Sequence, residues 1–114
     1  MISCGVDIVS IGRFCFLMGR YGERFLKRLF SRDEIDYCFE KKNQIQCFAG
    51  KFAAKEAAIK ALGLKDVALR DIEVINIDGK PIIKVKGEVL MAVSLSISHD
   101  RDYAVAMCVR EEEV

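Results

Sequence analysis

Two acidic residues, Glu56 and Asp7, stand within apolar stretches of the sequence. On a helical wheel of about 100° per residue, Ala49 and Phe52 fall within about 40° of Glu56, so its carboxylate lies on an apolar face. Asp7 occurs in a strand-like segment and shares its face with Val9. An ionised carboxylate removed from water needs a cation or several donors. Two such carboxylates suggest a hard divalent cation, because magnesium commonly takes one or two carboxylates together with water and phosphate oxygens.

Ordinary structural roles also explain these carboxylates. Glu56 could form a helix pair with Lys60, one turn further on. Asp7 could be satisfied by backbone N–H groups at the end of a strand. No cluster of histidine and cysteine competes for a softer metal. The residues alone therefore leave open a magnesium site and two structural carboxylates.

Three lysines and the single histidine are candidates for binding phosphate. Lys60 lies about 40° from Glu56 on the wheel, whereas Lys55 lies about 100° and Lys51 about 140° away. A solvated helix flank explains Lys51 and Lys55 equally well. His99 ends an apolar strand face just before a turn, where a structural or exposed histidine is the alternative.

The elements that carry these residues follow from hydrophobic periodicity and from start and stop signals. In chain order they are a buried strand at 2–9, apolar on both faces; a helical stretch at 13–30 that Gly19 and Gly22 are expected to divide; a helix from Ser31 to about Lys41, opened by a capping box with Glu34; a helix at 44–62 ended by Gly63; and hairpins that pair 71–77 with 82–86 and 93–98 with 103–109. An N-terminal strand, a helical segment with one long helix, then two β-hairpins predict an α+β fold with a mainly antiparallel sheet. We expect one domain, residues 1–114.

Composition limits the classes of partner. The chain has 18 Lys+Arg against 17 Asp+Glu, so affinity for an acidic partner must come from local clustering. We expect no nucleic-acid partner. A local basic set is present and consists of Arg13, Arg20, Arg24, Lys27, Arg28 and Arg32. A solvated basic face without a partner remains an alternative for this set.

The cysteines and the absence of long apolar runs indicate the compartment. The five cysteines are odd in number and show no CxxC spacing, which argues against a zinc cluster or a disulfide framework. We expect buried free thiols in a reducing cytosol. No run is long enough to span a bilayer and no signal-peptide pattern is present, so we expect a cytoplasmic protein without a membrane partner.

The residues assembled above resemble the signature of the phosphopantetheinyl transferase family. That family pairs a Gly-x-Asp strand with a downstream Phe-x-x-Lys-Glu-x-x-x-Lys helix; here residues 5–7 read GVD and residues 52–60 read FAAKEAAIK. The short, acyl-carrier-protein-synthase branch is the closer match. It is also similar at DIVSIGRF (7–14), LFSRDEIDYC (29–38), FAGKFAAKEAAIKALG (48–63), the turn at 79–81 and SLSISHDRDYAVA (94–106). The resemblance covers most of the chain.

The resemblance implies an activity and a set of site residues. The enzyme would transfer the 4′-phosphopantetheine group of coenzyme A to a serine of apo-acyl carrier protein, giving holo-acyl carrier protein and adenosine 3′,5′-bisphosphate in fatty acid biosynthesis. Asp7 and Glu56 would hold Mg²⁺, Lys60 would neutralise the pyrophosphate, and Glu56 is the candidate base for the serine proton. The residues implied to bind coenzyme A are Lys51, Lys60, Gly63, Pro81 and His99, with Lys51 and His99 near the 3′-phosphate.

The chain departs from the family pattern at two places. Lys51 stands where the family usually has arginine, and a lysine cannot copy the bidentate fork of a guanidinium. Residues 63–66 read GLKD where the family often has a Gly-Thr-Gly-like loop. Both departures affect contacts to phosphate.

The resemblance also implies two protein partners. Family members of this length are homotrimers with active sites between subunits, one subunit supplying the first-strand side and its neighbour the long-helix side. The acidic carrier protein would dock on a basic surface, which we assign to Arg13, Arg20, Arg24 and Arg28.

Two other functions fit parts of the pattern. A non-enzymatic module that binds acidic surfaces would use the basic set, but it does not need two buried carboxylates side by side. A magnesium-dependent phosphohydrolase would release phosphate or pantetheine products without a carrier protein.

Overall fold

The computed structural model describes residues 1–112, which fold into helices and two small sheets. In chain order the elements are β1 (Ile2–Ser10), α1 (Ile11–Leu29), α2 (Arg32–Phe39), α3 (Gln44–Leu62), a 3₁₀ turn (Leu69–Asp71), β2 (Ile72–Ile77), β3 (Lys80–Val85), β4 (Glu88–Val89), β5 (Val93–His99) and β6 (Tyr103–Glu111). The strands pair antiparallel throughout, in the orders β1-β6-β5 and β2-β3-β4. The α+β class is confirmed. We expected a single sheet, but the strands form two. β1 pairs with β6 of the second hairpin, whereas the first hairpin, β2 and β3, pairs with β4.

Helix α3 lies at the centre of the fold. Its buried alanines pack against strands of both sheets, in a cluster that contains Ala53, Ala54, Ala57, Ala58, Ala61, Ile72, Val74, Ile83, Ala106 and Cys108. Small side chains allow this close approach because they place little volume between helix and strand. The predicted bounds of α3 are confirmed: the side chain of Asn43 accepts from the backbone N–H of Gln46, and Gly63 ends the helix with a left-handed φ of 63°.

The two shorter helical segments confirm most of their predicted signals. Ser31 and Glu34 form the predicted capping box, in which each side chain accepts from the backbone N–H of the other. In α1 only Gly22 interrupts the helix, with φ 60° and ψ −140°. Gly19 stays within the regular helix, so the prediction of a break there is wrong. Within residues 1–112, no helix combines the length and apolar character that crossing a membrane requires.

Strand β1 is buried on one face only, which corrects the prediction of a strand buried on both. Val6 and Ile8 are 56% and 63% exposed, and Val105 and Met107 lie opposite them on β6 and are also exposed. Successive side chains of a strand point to opposite faces, and only one face of β1 meets α3. One chain therefore leaves an apolar strip on its surface.

The expectation of buried free thiols is wrong for four of the five cysteines. Cys38 and Cys47 form a disulfide with a Cα–Cα distance of 5.5 Å. Cys4 and Cys15 are exposed, and only Cys108 is both free and buried. The sequence spacing did not reveal the pair, because it forms only when the end of α2 meets the first turn of α3.

Candidate functional site

A glycine brings the first carboxylate to the central helix. A Cβ atom placed on Gly5 would lie 2.3 Å from the carbonyl oxygen of Ala57 and 2.7 Å from the Cβ of Lys60. Only glycine therefore allows β1 to approach α3 this closely. Asp7 lies two residues further along the same face of β1, so this contact sets its position beside Glu56. The Gly-x-Asp spacing thus has a steric reason.

Asp7 and Glu56 line one cavity of about 570 Å³. Burial and the neighbouring charge of Asp7 raise the pKa of Glu56 above its usual value, while the charge of Lys60 acts in the opposite direction. The ammonium of Lys60 turns to the strand: it donates to the carbonyl oxygen of Val6 at 2.9 Å and lies 3.5 Å from Asp7 Oδ1. Within residues 1–112 Glu56 forms no ion pair, so the helix pair with Lys60 is not formed.

The two carboxylates fit a hard divalent cation. They lie together, partly shielded from water, and their charges repel each other, which a bound cation would relieve. Residues 1–112 contain no group of three or more histidine, cysteine, aspartate or glutamate side chains that could hold a metal ion. A site with two protein carboxylates suits magnesium, which keeps several water ligands and binds substrate phosphates, better than it suits a metal needing a full protein cage.

A second cavity of about 580 Å³ brings together Lys51, Pro81 and His99. These are three of the five residues that the resemblance assigns to coenzyme A. Gly63 and Lys60 do not line it in the part of the chain described here. The sequence reasoning missed several lining residues that lie on α2, on the loop before α3 and in its first turn: Tyr37, Lys41, Lys42, Asn43 and Gln46. Lys41 and Lys42, which are adjacent and precede the start of α3, were the sequence signal that could have indicated these residues.

Lys51 is buried, so a solvated helix flank does not describe it. Its side chain is 5% exposed, its ammonium donates to the carbonyl oxygen of Val74, and the nitrogen lies 4.6 Å from the ring centroid of Tyr37. Burial lowers the pKa of Lys51 to about 8. The ammonium thus loses its proton within an accessible pH range.

Lys55 is also buried, and the flank interpretation is wrong for it too. The side chain is 0% exposed, and its ammonium donates to Glu34 Oε1 at 2.6 Å and to the carbonyl oxygens of Leu69 at 2.8 Å and Ile72 at 2.6 Å. An ammonium has three donors, and all three are used. Glu34 also accepts from the backbone N–H of Val74 at 2.9 Å. The ion pair of Glu34 and Lys55 therefore links α2 and α3 to each other and to β2.

The arginines predicted to dock a partner are all on α1 and exposed. Arg13 follows β1 without a loop, because Ser10 caps α1 by accepting from the Arg13 backbone N–H at 3.2 Å. It lines the cavity of Asp7 and Glu56, whose remaining wall is largely apolar and includes Phe14, Leu17, Phe25, Leu29 and Phe52. The kink at Gly22 separates Arg13 and Arg20 from Arg24 and Arg28, so the four do not form one continuous stripe.

One chain supplies both carboxylates. Because β1 packs on α3 within the chain, Asp7 and Glu56 meet without a second subunit. The expectation that one subunit supplies the strand side and its neighbour the helix side is therefore wrong for this pair.

Comparison with known proteins identifies the family. The sequence profile of the 4′-phosphopantetheinyl transferase superfamily matches residues 3–108. A holo-[acyl-carrier-protein] synthase of Halothermothrix orenii is 40% identical over 119 residues, covering 95% of each chain. The crystal structure of the holo-[acyl-carrier-protein] synthase of Neisseria meningitidis has a TM-score of 0.87 at 30% identity and covers 98% of this chain and 100% of that chain. The Helicobacter pylori enzyme of the same name, solved in complex with coenzyme A, has a TM-score of 0.78 at 34% identity and covers 95% of this chain and 97% of that chain. The chain belongs to the 4′-phosphopantetheinyl transferase superfamily, in the branch of the holo-[acyl-carrier-protein] synthases.

Proposed function

We propose that the chain, acting as one domain over residues 1–114, transfers the 4′-phosphopantetheine group of coenzyme A to a serine of apo-acyl carrier protein for fatty acid biosynthesis. The observation that carries this proposal is the meeting of Asp7 and Glu56 in one cavity, on the two signature motifs of the family. The relatives named as holo-[acyl-carrier-protein] synthases support the substrate class, as does the relative solved with coenzyme A.

In the proposed reaction the serine oxygen forms a bond to the β-phosphorus of coenzyme A, and adenosine 3′,5′-bisphosphate leaves. Asp7 and Glu56 would hold Mg²⁺, which supplies charge stabilisation at the phosphate oxygens when bound. Lys60, beside Asp7, offsets negative charge on the pyrophosphate. Glu56 is the proposed acceptor of the serine proton, and burial together with the charge of Asp7 raises its pKa, which makes the carboxylate a stronger base.

Intact-mass measurement tests the proposed reaction against its rivals. The protein is incubated with coenzyme A, magnesium and apo-carrier protein, and the carrier is expected to gain the mass of phosphopantetheine. Release of phosphate or pantetheine products without carrier protein would identify a phosphohydrolase instead. No change in any component would favour a module that only binds acidic surfaces.

We propose that the cavity of Lys51, Pro81 and His99 holds the 3′-phosphate end of coenzyme A. Two of these side chains can carry positive charge, and Lys41 and Lys42 add two more cations at the same cavity. We also propose that Gly63 and Lys60 contact coenzyme A.

The pH dependence of coenzyme A capture should report Lys51. The pKa of Lys51 is lowered to about 8 by burial, so the ammonium is charged below this pH and neutral above it. We therefore expect kcat/KM for coenzyme A, which reports the free enzyme, to fall above about pH 8. In Lys51→Arg the guanidinium stays charged, so this decline should move to higher pH while kcat changes little. The same decline in both proteins would exclude Lys51 as its cause.

Arg13 is the proposed centre of the carrier-docking surface, with Arg20, Arg24 and Arg28 along α1. Because Arg13 lines the cavity of the two carboxylates, Arg13→Glu should raise the KM for carrier protein about five- to tenfold at low salt and leave coenzyme A binding nearly unchanged. The ratio should shrink at high salt because screening weakens both the attraction and the new repulsion. Arg32→Glu, on α2, is the matched control. An unchanged KM in folded Arg13→Glu would move the docking surface to Arg20, Arg24 and Arg28.

We propose that the enzyme is a cytoplasmic homotrimer with active sites at subunit interfaces. The apolar strip of Val6, Ile8, Val105 and Met107 supports an interface between copies, because a strip of this kind is costly to leave in water. Light scattering combined with size-exclusion chromatography tests this assembly, and Val6→Glu should dissociate it.

A further inference from the structure

The disulfide between Cys38 and Cys47 stands behind the wall of the coenzyme A cavity. Cys47, in the first turn of α3, lines that cavity together with Lys51 and His99. Cys38, at the end of α2, is fully buried. The bond closes a segment, residues 39–46, that contributes four of the cavity's polar side chains: Lys41, Lys42, Asn43 and Gln46. A covalent link between two helices thus restrains part of the proposed substrate site.

The surroundings of the two cysteines are unequal. Cys38 is fully buried in the aromatic cluster that contains Phe30 and Phe48, so a shift of its sulfur would disturb closely packed side chains. Cys47 is only partly buried and faces the cavity. Two thiols need more room than two bonded sulfurs, so cleavage of the bond must be accommodated mainly on the side of Cys47 and of the segment before it. The wall of the cavity is therefore the region that shifts when the disulfide is reduced.

We propose that Cys38 and Cys47 are a redox-active pair whose disulfide form orders the wall of the coenzyme A cavity and whose dithiol form loosens it. This inference rests on the proposed function of that cavity. The Cys47 thiolate attacks one sulfur of an external disulfide and releases one thiol; Cys38 then attacks the Cys47 sulfur and releases the second thiol. Each cysteine gives up one proton, which the released thiols carry. Pairs of this kind in a reducing compartment are usually transient redox sensors.

The test uses adenosine 3′,5′-bisphosphate as the probe, because coenzyme A has a thiol that would itself exchange with the pair. The purified protein is equilibrated at a series of reduced-to-oxidised glutathione ratios, alkylated, and its free thiols are counted by intact mass and located by peptide mapping. We expect Cys38 and Cys47 to become unreactive together on oxidation. Calorimetry should then show probe binding about fivefold weaker in the reduced protein, the effect of leaving one or two long side chains to be ordered on binding.

Variants separate the pair from the other thiols. Cys47→Ser should bind the probe with the reduced-state affinity at every glutathione ratio, and Cys38→Ser should do the same. Cys15→Ser removes an exposed thiol on α1 and should keep the full redox response. Independent alkylation of Cys38 and Cys47 at all ratios would overturn the proposal, as would equal probe affinity in paired and unpaired protein. Absence of probe binding in both the oxidised and the reduced protein would overturn the proposed function of the cavity as well. The count of free thiols reports the disulfide independently of probe binding, so it would separate this result from failure of the redox proposal alone.

Discussion

Lys55→Met should lower the free energy of unfolding by about 3–5 kcal/mol, the cost of leaving one partner of a buried ion pair uncompensated. The substitution removes the ammonium that contacts Glu34 Oε1 and the carbonyl oxygens of Leu69 and Ile72, and it leaves the Glu34 carboxylate 1% exposed without a cation. The free energy of unfolding of a small domain is only about 5–15 kcal/mol, so the variant should lose a large part of its stability. Urea denaturation followed by circular dichroism measures the change.

The double variant Glu34→Gln, Lys55→Met shows whether the loss comes from the unpaired charge. It has no buried carboxylate. One amide oxygen cannot accept from the backbone N–H groups of both Ser31 and Val74, but an unpaired buried charge costs more than one lost hydrogen bond, so the double variant should be more stable than Lys55→Met alone. The matched control is Arg32→Met on α2, whose ion pair with Asp36 is at the surface, with 84% of the arginine side chain exposed. That control should change stability by less than about 1 kcal/mol. A loss in the double variant that equals the sum of the losses in Lys55→Met and in Glu34→Gln, each measured alone, would show that Glu34 and Lys55 are not coupled.

Glu56→Gln should lower kcat about 10³-fold, within the range for loss of a general base or of one key charge in the transition state. The amide keeps the shape of the side chain and removes its charge. Because the fold raises the pKa of Glu56, the ionised form is less favourable in the folded than in the unfolded state, and this cost is present at neutral pH. The variant should therefore unfold at an equal or higher denaturant concentration than the native protein. Activity assays quenched at fixed times measure kcat, and urea titration at pH 7 measures the denaturant concentration at which the protein unfolds.

Magnesium binding provides a readout that does not depend on turnover. Calorimetric titration of Mg²⁺ in the presence of adenosine 3′,5′-bisphosphate should show weaker binding to Glu56→Gln than to the native protein. Glu88→Gln, an exposed glutamate on β4, is the control and should keep native kinetics and native binding. Near-normal turnover of Glu56→Gln at saturating magnesium would remove Glu56 from both proposed roles. A clear loss of stability would indicate a structural carboxylate.

The sequence by itself determined the elements that depend on local signals. The capping box of Ser31 and Glu34 and the left-handed glycine at position 63 act within a few residues, so the bounds of α2 and α3 were predictable. Asp7 and Glu56 were recognisable as unusual because an apolar face makes a carboxylate costly whatever packs against it. Their spacing and the signature residues around them were enough to identify the family.

Only the tertiary structure decided the roles of the lysines that flank Glu56. A helical wheel shows which residues share a face, but it does not show what covers the other faces. Lys51 and Lys55 look like a solvated flank on the wheel, yet α2 and β2 cover that flank and bury both ammonium groups. Burial then gives Lys51 its lowered pKa and makes Lys55 a structural anchor.

Contacts between distant segments were likewise decided by packing. Gly5 matters because its missing Cβ admits the backbone of α3, a contact across more than fifty residues of sequence that no local pattern encodes. Cys38 and Cys47 pair because α2 and α3 pack with their adjoining ends together, whereas an odd number of cysteines without CxxC spacing gave no such sign. Periodicity and capping express interactions along one segment, and the pairing of sulfurs, charges and backbones across segments exists only once those segments have packed.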